Sequence, residues 1–133
     1  MEFDIMEHLS RLGPYRFNIA CHWDGYGKDH KKTGTGRIYV APDKDGYITA
    51  GMLWEPGKVT WYYNGKLVGT WSSKRVASVP QFIILCTQMG GWEGFDIDDS
   101  QLPADFIVDY VRVWQRRDLL PVEPVTTAPA AVR

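Results

Sequence analysis

Apolar and polar positions alternate from the second residue onward, the period of half-buried strands. In residues 2–7, Phe3 and Ile5 alternate with Glu2 and Asp4. Gly13-Pro14 punctuates the chain, and residues 15–23 follow with Phe17, Ile19 and Cys21 on one face and Asn18, Ala20 and His22 on the other. Residues 24–37 are rich in Gly, Lys and Asp and read as a loop, with a short strand at 38–40. The turn signal Asp45-Gly46 precedes a strand over 47–54. Residues 59–63 and 66–71 flank Asn64-Gly65, the dipeptide that best suits a type I′ hairpin turn. The apolar run 82–87 predicts a buried central strand, and 106–115 a last strand in which Ile107, Asp109, Val111 and Val113 share a face. No segment predicts a helix of about 10 residues or more, although residues 72–80 leave room for a short helical turn. Short strands at regular spacing define an all-β sandwich.

With 133 residues the chain holds one domain at most, here residues 1–115, and 116–133 read as a Pro-rich tail or linker. Strands this few leave apolar faces without partners, and each unpartnered core Leu or Val forfeits roughly 1.5–3 kcal/mol of burial. An incomplete sandwich, lacking N-terminal strands, is therefore the expectation. The formal charge is −1 with no basic stripe, which argues against nucleic acid as a partner. No apolar stretch is long enough to span a membrane, and no signal peptide precedes Glu2. Cys21 and Cys86 match no metal or disulfide-rich spacing; two buried thiols is the first reading, and one disulfide the other. The six Trp give either a sandwich core or flat faces for stacking on sugars.

The chemistry lies in Glu2-Phe3-Asp4-Ile5-Met6-Glu7. In a regular strand Glu2 and Asp4 share a face and Glu7 points away. One extra residue in a β-bulge near Ile5-Met6 would return Glu7 to that face. Three acids in a row could then perform retaining glycoside hydrolysis, which uses two carboxyl groups about 5–5.5 Å apart. One attacks the anomeric carbon, and the other protonates the leaving oxygen and later activates water. A carboxyl between them would help to keep the acid protonated. The plainer alternative for these residues is a solvated acidic strand edge.

The hexapeptide resembles the E-[ILVF]-D-[IVAF]-x-E signature of glycoside hydrolase family 16, in the form found in its laminarinase-like and agarase-like members. Further segments resemble the family's landmarks in the family's order: His22-Trp23, Trp54-Glu55-Pro56, the hairpin around Asn64-Gly65, residues 80–85, Gly90-Gly91-Trp92 and residues 109–115. Tyr47-Ile48-Thr49-Ala50 departs from the Phe-His-x-Tyr that members carry before the Trp54 position. The resemblance covers residues 1–115, the C-terminal part of a catalytic domain. It implies a concanavalin A-like jelly roll with a cleft across the concave sheet, in which Glu2 is the nucleophile, Asp4 the assisting carboxylate and Glu7 the general acid/base. The substrate it implies is a polysaccharide cut internally at β-glycosidic bonds, β-1,3-glucan by default, and the expectation for this chain alone is weak or no activity. The alternatives are a non-catalytic carbohydrate-binding jelly roll and a sandwich interaction domain.

Beyond the acids, His22, Trp23, Gln88 and Trp92 are candidates for substrate contact. Trp61, Tyr63 and Trp71 fit sheet packing better. His8, His22 and His30 follow no recurrent zinc spacing. No cofactor is required. By the resemblance, Asp109 would belong to a structural calcium site on the convex side, as an acid sharing a strand face with apolar residues and so in need of a partner. A monomer is expected for the complete domain, with an extracellular or periplasmic location for the full-length parent.

Overall fold

The structure, a computed structural model, describes residues 1–91, 94 and 96–120. Six strands form two three-stranded antiparallel sheets. The first holds β1 (Glu2–His8), β2 (Arg16–Trp23) and β3 (Lys31–Tyr39), in that order. The second holds β4 (Ala50–Glu55), β5 (Lys58–Tyr63) and β6 (Lys66–Ser72), again in chain order. Helical turns among the described residues are 3-10 only, at Ser10–Leu12, Asp99–Gln101 and Arg117–Leu119. The fold is all-β and sandwich-like, as the alternation predicts.

The core lies between the inward faces of the two sheets. Phe17, Ile19, Cys21 and Ile38 come from the first sheet and Val59, Trp61 and Tyr63 from the second, joined by Val76. The positions alternate along β2 and β5 because successive side chains on a strand take opposite faces. Asn64 and Gly65 both have positive φ, 48° and 74°, so the β5–β6 hairpin closes through the turn that its Asn-Gly pair favours.

Residues 31–37, read from composition as loop, belong instead to β3. β3 carries Gly34 opposite Ala20, and Gly36 beside Asn18 where the register shifts. A Cβ at Gly34 would lie 2.1 Å from the Ile19 carbonyl oxygen, and one at Gly36 2.3 Å from Asn18 Oδ1. The glycines that suggest a loop are what lets the strand lie this close.

Two predicted strands do not form. Residues 82–87 and 106–115 carry no ladder and are exposed along their length. Phe82 is 83% exposed and Trp114 78%. A strand exists only as a member of a ladder, and neither segment pairs with a described strand. Two compact units are distinguished: residues 1–98, which hold both sheets, and 99–133. In the second, among the described residues, the Arg112 guanidinium lies 4.2 Å from the Tyr110 ring centre and Arg116 pairs with Asp118 at 2.6 Å. Both cysteines are free thiols. Cys21 is buried as expected, but Cys86 is exposed because its segment has no covering layer.

Candidate active site

The site is built on the pairing of β1 with β2. Glu2 stands opposite His22, Asp4 opposite Ala20 and Glu7 opposite Asn18, with the register shifting between Asp4 and Glu7. Ile5 and Met6 together therefore face Ile19 alone, a bulge of two residues against one. His22, Ala20 and Asn18 alternate along β2 and share a face, so Glu2, Asp4 and Glu7 share it too. Without the extra residue Glu7 would point into the core.

The bulge is held from the opposite sheet. Two aromatic side chains of β5 reach backbone carbonyls at the bulge. The Trp61 indole N–H donates to the Asp4 carbonyl at 3.1 Å, and the Tyr63 hydroxyl donates to the Ile5 carbonyl at 3.1 Å. The Tyr63 oxygen also lies 3.3 Å from the Asn18 carbonyl. Alternation predicted Trp61 and Tyr63 to pack inward; it gave no sign that their polar ends grip the acidic strand.

The acids perturb one another. The Asp4 carboxyl is pushed up to about 7, first by burial, then by the Glu7 charge and a hydrogen bond with Glu2. Burial also raises the Glu7 carboxyl, with the Glu2 charge adding to it and Lys32 opposing. His22 moves the other way: burial lowers its imidazole. His22 Nε2 lies 3.0 Å from Asp4 Oδ2. The phenol of Tyr26, in the β2–β3 loop, donates to Glu2 Oε2. A cavity of about 160 Å³ opens beside this cluster, lined by Met1, Glu2, His22, Trp23, Gly25 and Tyr26.

Of the residues singled out in the sequence, the structure therefore brings together Glu2, Asp4, Glu7 and His22. Trp23 lines the cavity while stacking on Trp71, ring centres 5.0 Å apart. Gln88 lies in the exposed segment after β6, outside both sheets. Trp92 lies outside the described residues. Asp109 is exposed in the second unit, and among the described residues no three His, Cys, Asp or Glu side chains converge to hold a metal ion. Tyr26 went unnoticed in the sequence because turn composition hides it. His30, weighed there only as a zinc ligand, sits 2.8 Å from His22.

Fold and site together define a two-sheet β protein with a bulged acidic strand on one face. Residues 1–112 match the Glycosyl hydrolases family 16, and the chain belongs to that family. It is 30% identical over 125 residues to the clotting factor G alpha subunit of Tachypleus tridentatus, covering 86% of this chain and 17% of that protein. It is 25% identical over 127 residues to a beta-glucanase of Rhodothermus marinus, covering 86% of this chain and 44% of that protein. The chain thus spans less than half the length of either relative. No solved structure matches it. No helix among the described residues is long and apolar enough to cross a membrane.

Proposed function

We propose that this chain carries the catalytic strand of a retaining glycosidase that cuts β-glycosidic bonds within a polysaccharide, β-1,3-glucan being the first candidate. The observation that carries the proposal is the bulge, which turns Glu7 onto the face of Glu2 and Asp4. In the proposed reaction Glu2 attacks the anomeric carbon while Glu7 protonates the departing oxygen. Glu7 then takes a proton from the water that releases the sugar from Glu2. The upward shift of Glu7 supports an acid still protonated when substrate arrives, and Asp4 lies between the two with a hydrogen bond to Glu2. Membership of the family and similarity to a protein described as a beta-glucanase support the substrate class.

The same reading takes the sandwich as part of a concanavalin A-like jelly roll. Support comes from the apolar segments 82–87 and 106–115, which have strand-like sequences and no partner among the described residues. Those faces would be covered in a larger assembly of strands, so the chain by itself is expected to turn over slowly or not at all. The site calls for no cofactor. A secreted or periplasmic location fits a substrate too large to enter a cell.

The test is hydrolysis of laminarin, with agarose in parallel, by this chain and by the product of the full reading frame around it. Early products followed by proton NMR are expected as β-anomers. Glu2→Gln and Glu7→Gln are each expected to lower the rate at least about 10³-fold. First-formed α-anomers would refute retention. Glycan binding that survives both substitutions, with no turnover by either protein, would favour the non-catalytic carbohydrate-binding alternative.

A further inference from the structure

The β2–β3 loop, residues 24–30, touches the acidic row at two points. Tyr26 donates its hydroxyl hydrogen to Glu2 Oε2. His30 Nε2 lies 2.8 Å from His22 Nδ1, with the two rings only 5° from parallel, and His22 Nε2 lies 3.0 Å from Asp4 Oδ2. Two lines of contact therefore run from one loop to two neighbouring carboxylates.

The loop is itself fixed. Asp24 and Gly25 turn the chain with φ of 62° and 72°. The Asp24 carboxylate takes Lys31 at 3.2 Å and, from beyond β6, Arg75 at 3.2 Å. The His30 amide donates to the Gly27 carbonyl at 3.1 Å. The Tyr26 and His30 rings, with centres 5.0 Å apart, pack on each other, and Tyr26 also stacks on His22. These contacts set the placement of both side chains before any ligand arrives.

We propose that Tyr26 and His30 are positioning residues for the acidic row: Tyr26 orients the Glu2 carboxylate, and His30, acting through His22, orients Asp4. The proposal rests on the reading of Glu2 as nucleophile. Glu2 lies at the exposed start of β1, where a flexible side chain samples several rotamers. A phenol on Oε2 selects one of them and leaves Oε1 to face the sugar. His30 selects a tautomer. When its Nε2–H donates to His22 Nδ1, the only hydrogen left on a neutral His22 is at Nε2, directed at ionised Asp4. If His30 is removed, His22 is free to carry its hydrogen on Nδ1 and present a lone pair to the same carboxylate. No proton need pass along the chain; its effect is on orientation.

The experiment uses Tyr26→Phe, His30→Ala and His30→Gln in the whole chain, each checked by circular dichroism for an unchanged fold. The substrate is 2,4-dinitrophenyl β-laminaribioside, whose leaving group departs without acid help, so the rate reports on the Glu2 attack. Tyr26→Phe and His30→Ala are each expected to lower kcat about 10- to 100-fold, with KM within about twofold, and His30→Gln, which keeps a donor, to recover most of the loss. Unchanged kcat in Tyr26→Phe and His30→Ala would overturn the proposal.

Nitrogen-15 NMR of the imidazoles gives a second reading that needs no turnover. At pH 8, where Asp4 is ionised, His22 is expected as a single Nε2–H tautomer in the wild type and in His30→Gln, and as a mixture in His30→Ala. The Tyr26 Cζ resonance is expected to move in Glu2→Gln. The same His22 tautomer in all three proteins, with an unmoved Tyr26 signal, would overturn the proposal. If the wild type releases no dinitrophenol, as the uncovered segments of this chain allow, the imidazole and Tyr26 signals alone decide the proposal, and the hydrolase reading is tested separately by Glu2→Gln in a longer protein that turns over.

Discussion

Asp4 is the residue at which burial and ionisation oppose each other most. Its carboxyl is raised from 3.8 to about 7, so between those values the folded chain holds a proton that the unfolded chain has released. The contribution to stability is complete below the unfolded value and is lost as pH rises through the folded one. The full shift corresponds to about 4 kcal/mol, and solvent at the open face reduces the expectation to roughly 2. Glu7 is raised as well and acts in the same direction. The melting temperature in scanning calorimetry is therefore expected to fall from pH 5 to pH 8. Asp4→Asn should flatten that slope and leave the protein more stable at pH 8 than its parent. An equally steep fall in Asp4→Asn would show that the slope originates elsewhere. The three acids themselves were legible in the sequence by type and spacing. Their partners Tyr26 and His30 were not, because a loop made of Gly, Asp and Lys has no period from which to read a direction.

At the scale of elements, the bulge in β1 is a local distortion that its own sheet does not complete. The Asp4 and Ile5 carbonyls are satisfied by Trp61 and Tyr63 across the sandwich. A buried carbonyl left without its donor costs about 1–3 kcal/mol. Trp61→Phe removes the indole N–H together with some core volume, whereas Tyr63→Phe removes only a hydroxyl. Urea unfolding is expected to show Tyr63→Phe less stable by about 1–2 kcal/mol and Trp61→Phe by about 2–3. A loss near zero for Tyr63→Phe would mean that the hydroxyl does not hold the bulge. The need for a bulge could be read from three acids at odd spacing; its support could not, since Tyr63 is separated from Ile5 by 58 positions. Similarly, β3 was hidden by Gly34 and Gly36. Composition treats them as breakers, but a Cβ at Gly34 would strike the Ile19 carbonyl and one at Gly36 the Asn18 side chain.

For the whole molecule, what was legible divides according to whether a partner strand is present. Strands β1, β2, β5 and β6 were predicted nearly at their observed bounds, because each has a neighbour in its sheet that rewards the alternation, whereas β4, expected from residue 47, starts only at Ala50. Residues 82–87 have as strong a strand pattern as any of these, yet they lie open, with Ile84 69% exposed. Sequence reports which face of a segment prefers to be buried; whether a ladder forms depends on a second strand. Backbone amides without ladder partners exchange with solvent far faster than those inside a sheet. Hydrogen–deuterium exchange of the purified chain is accordingly expected to be fast over residues 81–89 and 104–115 and slow over β2 and β5, the central strands of their sheets. In the product of the full reading frame, the first two segments should become protected while β2 and β5 hardly change. Protection of residues 82–87 already present in this chain, at its lowest workable concentration, would mean that the segment finds a partner within these residues. A larger sandwich would then no longer be needed to cover residues 82–87, and weak activity of the chain would have no structural reason.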